Sequence, residues 1–211
     1  MDPSLVAAAE AVLLGYLLGS ILPAYLVARA RGVEIRASGS GNPGIANVAE
    51  TMGYGMAALI APYDVLKAPL AMVAALALGV SPQLAYLAGA AAFLGHRMPF
   101  YLRFRGGEGI APLVGIAFFS LGMLVHRDPS FAAVLAPLLA AMAIAFFTRM
   151  RRKPSWLFVF LFLPLVVNAA LLHQGIDIHT GALLAVGVYI VGHRIWQLLE
   201  PKLAVMPAPE R

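Results

Sequence analysis

Leu5–Ala28, with the sequence LVAAAEAVLLGYLLGSILPAYLVA, is an apolar run of about 24 residues near the start of the chain. A helix that crosses the hydrocarbon core of a membrane needs about 20 such residues. The run is too long for the core of a signal peptide, and no basic residue precedes it. We therefore expect residues 5–28 to form a first transmembrane helix that stays in the mature protein.

The composition extends this interpretation to the whole chain. Of its 211 residues, 61% are hydrophobic and 12% are charged, and the mean hydropathy is +0.84. Soluble domains are about half apolar and about a quarter charged. The absence of cysteine excludes disulfides, thiol catalysis and thiolate metal sites, and no cluster has the spacing of a metal site. We expect an all-α, polytopic transmembrane bundle that forms a single domain over residues 1–211 and holds no metal.

Seven apolar segments predict about seven transmembrane helices. They cover residues 5–28, 52–78, 82–97, 110–125, 131–148, 155–172 and 180–199. The third to the sixth are shorter than a straight crossing requires, so a count of five or six helices remains open. The linker 98–109 joins the two shortest segments and is a candidate to enter the membrane. Its backbone would then have to be buried in protein or line a polar cavity.

The basic residues predict the orientation of the bundle. With the N-terminus outside, all Lys and Arg residues except Lys67 and Arg127 lie on the cytoplasmic side, which is 13 of 15. This asymmetry is typical of multi-pass proteins of the inner or plasma membrane. It explains the net charge of +5 without a nucleic-acid partner. We expect the C-terminus to face the cytoplasm.

A polar, glycine-rich stretch lies on that side: Ser38-Gly39-Ser40-Gly41-Asn42-Pro43-Gly44-Ile45-Ala46-Asn47. Its glycines and its proline argue against a regular helix. Its small neutral side chains leave the backbone N–H groups accessible, as in the nests that hold phosphates. A flexible connector between two helices is the alternative interpretation.

A second glycine-rich stretch, Arg103-Phe104-Arg105-Gly106-Gly107-Glu108-Gly109, precedes the segment that starts at residue 110. Backbone N–H groups at the N-terminus of a helix favour anions. Pro112 fits the first turn of that helix, where its missing N–H is not needed. Two such loops beside arginines on one side of a membrane predict a phosphate site at the interface.

Three polar residues within the apolar segments are further candidates. Asp64 and Lys67 are three residues apart, so they share a helix face and can form an ion pair. Charges within a span are costly and often functional, although a structural pair near the membrane edge is the alternative. His96 could act as a general base or donate a hydrogen bond to a phosphate, or it could be a satisfied polar residue at the interface.

These stretches resemble the motifs of the bacterial acyl-phosphate:glycerol-3-phosphate acyltransferases, the PlsY type. Residues 38–48 are similar to the family's S-G-S-G-N-P-G-A-T-N-V. Residues 63–67 look like its F-D-x-x-K element, and residues 94–109 resemble its L-G-H-x-x-P…F-K-G-G-K-G-V-A-T motif. The order and spacing agree from residue 10 to about residue 200, so the chain looks like a divergent member.

The resemblance implies a membrane enzyme with its active site facing the cytoplasm. It would move a fatty acyl group from acyl phosphate to the 1-hydroxyl of glycerol 3-phosphate. The products would be lysophosphatidic acid and phosphate, as in phospholipid biosynthesis, and no cofactor is implied. The bilayer would hold the acyl tail. The implied catalytic residues are His96, Ser38 and Asn47. The implied phosphate-binding residues are Ser40, Gly41, Asn42, Gly44, Lys67, Arg105, Gly106 and Gly107, supported by Asp64, Arg103 and Arg194.

Several positions depart from the family pattern. Ala46 and Pro112 stand where the family has threonine, Glu50 where it has arginine and Glu108 where it has lysine. The third motif, H-x-x-N-I-x-R-L, is reduced around Arg194. Reversing a charge about 4 Å from a phosphate changes the interaction by several kcal/mol at an effective dielectric of about 20.

Two alternatives to the family reaction therefore remain. One is a paralogous acyltransferase with another polar acceptor, such as one whose amine the new carboxylates bind. The other is a membrane protein that keeps the scaffold without catalysis and binds a lipid or a partner, because fold alone does not establish activity.

Overall fold

The computed structural model of the protein describes residues 3–127, residue 129 and residues 178–203. The predicted segments 131–148 and 155–172 lie outside these ranges. The described helices are α1 (Pro3–Ser20), α2 (Pro23–Ala30), α3 (Ile45–Met52), α4 (Tyr54–Ala77), α5 (Pro82–Arg97), α6 (Ile110–Arg127) and α7 (Ile178–Leu203), with 3₁₀ turns at Ile35–Ala37 and Phe100–Leu102. All regular elements in the described ranges are helical, which confirms the all-α prediction for that part of the chain.

Three helical stretches in the described ranges are long and apolar enough to cross a membrane. They are Ser4–Ala30, Tyr54–Ala77 and Ile110–Arg127. The predicted third segment is helical too, but α5 has only 16 residues. The count of about seven crossings and the orientation of the termini stay predictions.

The described helices belong to two compact units, Met1–Phe119 and Ser120–Arg211. The first contains both glycine-rich loops and the polar residues of α4 and α5. In the second, α7 buries Leu183, Val186 and Ile190 along one stripe with helical spacing. Arg194 also lies on α7, but its side chain is outside the described part of the structure, so its role stays a prediction.

The first apolar run forms two helices, which corrects the prediction of one continuous helix over residues 5–28. The break lies before Pro23, which has no N–H to donate and whose ring disfavours a helical conformation at the preceding residue. Leu22 is accordingly extended, with φ −109° and ψ 92°. Carbonyl groups at the end of α1 therefore lack their usual N–H partner four residues on, although the Leu18 carbonyl accepts from the Ile21 N–H at 3.3 Å.

Small residues bring α1 and α5 into backbone contact. A side chain at Gly15 would overlap the Ala88 carbonyl oxygen, and one at Gly19 would overlap that of Ala92. Small residues spaced four apart are typical of closely packed helix pairs in membranes. The contact places the end of α5, with His96, beside the break that follows α1.

Close packing also joins α4 to the start of α6. Pro69 lies inside α4 and removes the N–H that would bond to the Val65 carbonyl. Gly115 of α6 packs on that carbonyl, because a side chain at this position would overlap the Val65 oxygen. The face of α4 that carries Asp64 and Lys67 is buried.

Helix α3 corrects the predicted loop at its end, because Ile45, Ala46 and Asn47 form the first turn of a helix. Gly44 before it is extended, with φ −131° and ψ 174°. One apolar cluster packs α2, the first 3₁₀ turn, α3 and α4 together, and its buried members are Ala24, Ala28, Ile35, Val48, Ala57 and Ile60. This cluster holds both ends of the glycine-rich loop.

Candidate active site

A buried ionic cluster joins α4 to the end of α5. Nζ of Lys67 lies 2.9 Å from Oδ1 of Asp64 and 2.7 Å from Nδ1 of His96. The Asp64 and Lys67 side chains are 0% exposed and that of His96 is 3% exposed. The predicted Asp64–Lys67 pair is therefore present and lies in the protein interior. Because water is excluded, each charge depends on protein groups for its stability.

The break between α1 and α2 supplies acceptors for side chains of α4. Nζ of Lys67 donates to the Ile21 carbonyl at 3.1 Å, and the Tyr63 hydroxyl donates to the Leu18 carbonyl at 2.9 Å. Carbonyl groups at a helix end need such partners, because the next turn does not provide N–H groups. The break is therefore part of the site and not only a kink.

Tyr101, in the linker after α5, closes the same break. Its hydroxyl donates to the Ser20 carbonyl at 2.9 Å and accepts from the Leu22 N–H at 3.3 Å. Burial is the main cause that raises the pKa of the Tyr101 phenol, so this hydroxyl keeps its proton at neutral pH. The sequence interpretation did not single out Tyr101. Its position in the polar linker 98–109 is the sequence feature that could have indicated a role in the site.

The expectation that Lys67 binds a phosphate does not fit this geometry. An ammonium group has three N–H donors. They meet the Ile21 carbonyl, the Asp64 carboxylate and the ring nitrogen of His96. Because the side chain is also fully buried, Lys67 is placed to hold its neighbours and not to contact a substrate.

The side chain of Asn47 holds the first glycine-rich loop. Its Nδ2 donates to the Ile35 and Ser38 carbonyls, both at 3.0 Å, and its Oδ1 accepts from the Ser40 N–H at 3.0 Å. Gly39 has φ +56°, and a side chain there would overlap Oδ1 of Asn47. The loop is thus a hydrogen-bonded structure. Asn47 acts in it as a clasp, and its contact with a substrate stays a prediction.

The N–H groups of residues 38–44 are only partly available for a phosphate. Gly41 donates to the Ser38 carbonyl at 3.0 Å, and Gly44 donates to the Asn42 carbonyl at 2.8 Å. In the described part of the chain, no side chain caps the N-terminus of α3. The better position for a phosphate is therefore the start of α3, where unpaired backbone N–H groups favour anions.

The two loop serines lie at the surface of this structure. The Ser38 hydroxyl donates to the Glu34 carbonyl at 2.9 Å. Ser40 is exposed, and its Oγ lies 3.5 Å from the Asn42 nitrogen. Their predicted contacts with substrate stay predictions.

The second glycine-rich loop joins the first one directly, as the sequence predicts. The Glu108 N–H donates to Oδ1 of Asn42 at 3.2 Å. The N–H groups of Gly106 and Gly107 donate to the last carbonyls of α5 at 2.8 and 3.0 Å. A side chain at Gly107 would overlap Nε2 of His96, so this loop packs on the edge of the ring. Both loops and His96 therefore belong to one site.

Two pockets of about 500 and 510 Å³ open beside the loops, and both are lined by Arg36 and Arg105. Arg103 lines the first pocket, and Gly41 and Gly106 line the second. We call the two together the arginine pocket. Guanidinium groups that converge on a cavity favour phosphate, because their planar N–H donors match its oxygen atoms.

A strained turn carries two of these arginines. Arg103 and Phe104 both have left-handed backbone conformations, with φ +54° and +59°. Such conformations cost of order 1–3 kcal/mol each in residues other than glycine and cluster at functional sites. Hydrogen bonds from the Phe104 N–H to Pro99 at 3.1 Å and from the Arg105 N–H to Leu102 at 3.2 Å maintain the turn.

Arg36 is a pocket residue that the sequence interpretation counted only as a marker of topology. Its guanidinium lies 5.6 Å from the centre of the Tyr25 ring, and its Nε is 3.7 Å from Oε1 of Glu34. The Arg36 side chain is 39% exposed, so this ion pair is weak and leaves the cation available to a ligand. The position of Arg36 immediately before the glycine-rich loop is the sequence feature that could have indicated its place in the pocket.

The replaced family positions lie in different settings. Ala46 and Glu50 are exposed and lie one turn apart on α3. Glu108 contributes its backbone, since its carbonyl also accepts from Nη1 of Arg97 at 2.8 Å. Pro112 is buried in the first turn of α6, as predicted. The charge reversal at position 50 is therefore on a solvated surface.

Known proteins with similar sequences are acyltransferases. The glycerol-3-phosphate acyltransferase family profile matches residues 9–198. Glycerol-3-phosphate acyltransferase 1 of Deinococcus radiodurans is 40% identical over 159 residues, which cover 69% of this chain and 78% of that protein. Glycerol-3-phosphate acyltransferase of a Roseiflexus species is 41% identical over 153 residues, which cover 66% and 75%.

The fold is similar to that of solved structures of the same kind. A crystal structure of PlsY, an integral membrane glycerol 3-phosphate acyltransferase, in its glycerol 3-phosphate form has a TM-score of 0.68 at 25% identity and 92% coverage of both chains. Its lysophosphatidic acid form has a TM-score of 0.64. These matches confirm the resemblance and the membrane fold. The chain belongs to the glycerol-3-phosphate acyltransferase family.

Proposed function

We propose that this protein transfers a fatty acyl group from acyl phosphate to the 1-hydroxyl of glycerol 3-phosphate, giving lysophosphatidic acid and phosphate. Family membership makes it a glycerol-3-phosphate acyltransferase, and the acyl phosphate donor is the part that we add. The observation that carries the proposal is the hydrogen bond between Glu108 and Asn42, which joins two glycine-rich loops beside the arginine pocket.

Acyl transfer from acyl phosphate to a hydroxyl group is a single displacement. The 1-hydroxyl oxygen forms a bond to the acyl carbon, and the bond from that carbon to the phosphate oxygen breaks. The electron pair leaves with the phosphate, and the hydroxyl proton ends on the same product. Acyl phosphate already has an anionic leaving group, so binding, alignment and stabilisation of the oxyanion account for catalysis.

The arginine pocket suits a reaction with two phosphate-bearing substrates. It has two compartments, and both share Arg36 and Arg105. One compartment would take the phosphate of the donor and the other that of the acceptor. Arg36 and Arg103 would then supply charge that this chain lacks at Glu50 and Glu108.

We place the site on the cytoplasmic side of the inner or plasma membrane, with the acyl tail in the bilayer. The arginines of the pocket support this orientation, because basic residues concentrate in cytoplasmic segments. Protease or thiol-labelling access in sealed vesicles, with single cysteines introduced near Arg103, measures the orientation.

One observation favours a second candidate, acyl transfer to a different polar acceptor. Glu34 lines the compartment that contains Gly41 and Gly106. A carboxylate there would disfavour an acceptor with a doubly charged phosphate and would bind an amine. Both candidates share the donor and the site, so the acceptor separates them.

The test uses the purified full chain in detergent with palmitoyl phosphate. Phosphate release is followed with glycerol 3-phosphate, with amino alcohols or with no acceptor, and the lipid product is identified by mass spectrometry. The proposal predicts equal amounts of phosphate and lysophosphatidic acid only when glycerol 3-phosphate is present. Turnover with another acceptor alone would establish the second candidate. No turnover, in an assay where the Deinococcus relative run in parallel is active, would contradict both candidates and favour a scaffold without catalysis.

A further inference from the structure

We propose that Lys67 is a positioning residue that fixes the tautomer of His96, so that His96 presents an Nε2–H donor to the reacting groups and does not act as the general base. The role of His96 in acyl transfer rests on the proposed function. The tautomer of His96 rests only on the buried contacts of Lys67, so either claim can fail without the other.

The first argument is the match of donors and acceptors around Lys67. Its Nζ lies 3.1 Å from the Ile21 carbonyl oxygen, 2.9 Å from Oδ1 of Asp64 and 2.7 Å from Nδ1 of His96. An ammonium group donates three hydrogen bonds and accepts none. All three neighbours must therefore accept, which requires Nδ1 of His96 to carry a lone pair.

The other protonation states of His96 are unfavourable in this arrangement. A proton on Nδ1 would point at the Lys67 ammonium across 2.7 Å. Full protonation would place two cations beside one carboxylate in a buried site, which carries a large electrostatic cost. The Asp64 carboxylate does not offset this cost by accepting from the ring, because Oδ1 is 3.7 Å from Nδ1, beyond hydrogen-bond distance.

The proton of a neutral His96 ring therefore lies on Nε2, at the edge that faces the second glycine-rich loop. A side chain at Gly107 would overlap this nitrogen. The neighbouring Gly106 lines the arginine pocket. Glycine at position 107 thus lets the loop pack on this edge of the ring, one residue away from the lining of the arginine pocket.

A fixed Nε2–H cannot receive the proton of the acceptor hydroxyl. It can stabilise the oxygen of the acyl carbonyl as negative charge develops on it, or the departing phosphate. In the balanced reaction, the hydroxyl proton ends on the phosphate product, so His96 keeps its proton throughout. The buried network then serves to hold one donor in one orientation.

The tautomer is measured directly by nitrogen NMR on the full chain in detergent with ¹⁵N-labelled histidine. The protein has five histidines, and His96→Gln identifies the signals of His96 by their loss. At neutral pH we expect the proton on Nε2 and none on Nδ1, and Lys67→Met should remove this preference. A proton on Nδ1 or on both nitrogens of the wild-type ring would overturn the proposal, and this result needs no activity.

Three substitutions of His96 test the role in turnover. A glutamine amide N–H₂ reaches about as far as Nε2, whereas that of asparagine reaches about as far as Nδ1. We expect His96→Gln to stay within about tenfold of the wild-type kcat, and His96→Asn and His96→Ala to lose about 100-fold or more, the usual effect of removing one oxyanion donor. His126→Gln, at an exposed position on α6, is the control and should not change the rate.

If His96→Gln and His96→Ala lose equal amounts of kcat while both keep the thermal midpoint of the wild type, His96 acts as a general base and the inference is overturned. If His96→Gln does not fold, His96→Asn identifies the NMR signals in its place, and the tautomer of the wild type decides. If the wild type shows the expected tautomer but transfers no acyl group, the proposed function fails and the positioning of His96 by Lys67 stands.

Discussion

The cluster of Asp64, Lys67 and His96 and the arginine pocket both concentrate charge, but they do so in different surroundings. In the cluster, the Lys67 ammonium is fully buried and meets three acceptors at 3.1 Å or less. In the pocket, Arg36 is 39% exposed, and its nearest carboxylate, that of Glu34, is 3.7 Å away. In the cluster, protein groups accept the hydrogen bonds of the cation. In the pocket, the arginines remain available to bind a ligand.

The difference indicates a division of labour. Buried charges depend on each of their hydrogen-bond and ion-pair partners, and removing one partner is costly. Such charges can therefore hold a side chain in one geometry. Exposed cations are screened by salt and contribute little to stability, so they can bind and release anions. We infer that the cluster determines the orientation of reacting groups and that the pocket determines the affinity for phosphate.

The largest effect should follow from breaking the cluster. Lys67→Met leaves the Asp64 carboxylate buried without its cation, and Oδ2 of Asp64 already has no hydrogen-bond partner in the described part of the chain. Removing one partner of a buried pair costs about 3–5 kcal/mol. We expect a clear fall in the thermal midpoint in detergent, with a loss of turnover of at least about 100-fold.

The matched control removes both charges. Asp64→Asn combined with Lys67→Met should regain part of the lost stability but not the turnover, because His96 then lacks its orienting donor. Leu66→Met, on the exposed side of the same helix, should change neither. A Lys67→Met protein with the stability and rate of the wild type would show that the cluster does not hold the site.

A smaller effect should come from the loop that connects the two regions. Gly39→Ala places a side chain on the Asn47 amide at φ +56°, whereas Gly32→Ala places one at φ +72° with no heavy atom within 4 Å. Both changes carry backbone strain of about 1–2 kcal/mol. Only Gly39→Ala disturbs the loop, so its KM for glycerol 3-phosphate should rise about tenfold, while that of Gly32→Ala stays near the wild-type value. Equal kinetics in the two variants would contradict the role of the Asn47 clasp.

The smallest effect should come from restoring the charges of the family pattern. In Glu50→Arg combined with Glu108→Lys, we expect the KM for glycerol 3-phosphate to fall by less than tenfold. Glu50 lies on a solvated surface, where an ion pair is worth about 0–1 kcal/mol, and Glu108 is half-buried. Steady-state rates on the wild type and the variant provide the comparison. A wild type without activity that gains it only through these two changes would show that the arginine pocket does not compensate.

The sequence was enough to predict the features that depend on local spacing. The Asp64–Lys67 pair follows from two residues one turn apart on a helix. The meeting of the glycine-rich loops follows from their place on one side of the predicted bundle. The helical class follows from composition.

Other features depend on contacts between distant parts of the chain and were missed or misjudged. Pro23 signals a break, but the use of the Ile21 carbonyl by Lys67 depends on the packing of α1 against α4. The sequence did not show that the Asn47 amide is occupied within the loop, and the catalytic role of Asn47 stays a prediction. Tyr101 lies in no recognised motif, because its role depends on the Ser20 carbonyl and the Leu22 N–H, about 80 residues earlier in the chain.

The most direct test of this division of labour is a steady-state titration with glycerol 3-phosphate at low and high salt. It compares the wild type with Arg36→Gln combined with Arg105→Gln, and uses Arg31→Gln, which lines neither compartment, as the control. We predict that salt raises the wild-type KM several-fold without changing kcat, since screening acts on exposed charges. The double variant should have a KM about tenfold higher at low salt, with little further change. The same KM and the same salt dependence in the wild type and the double variant would contradict the account.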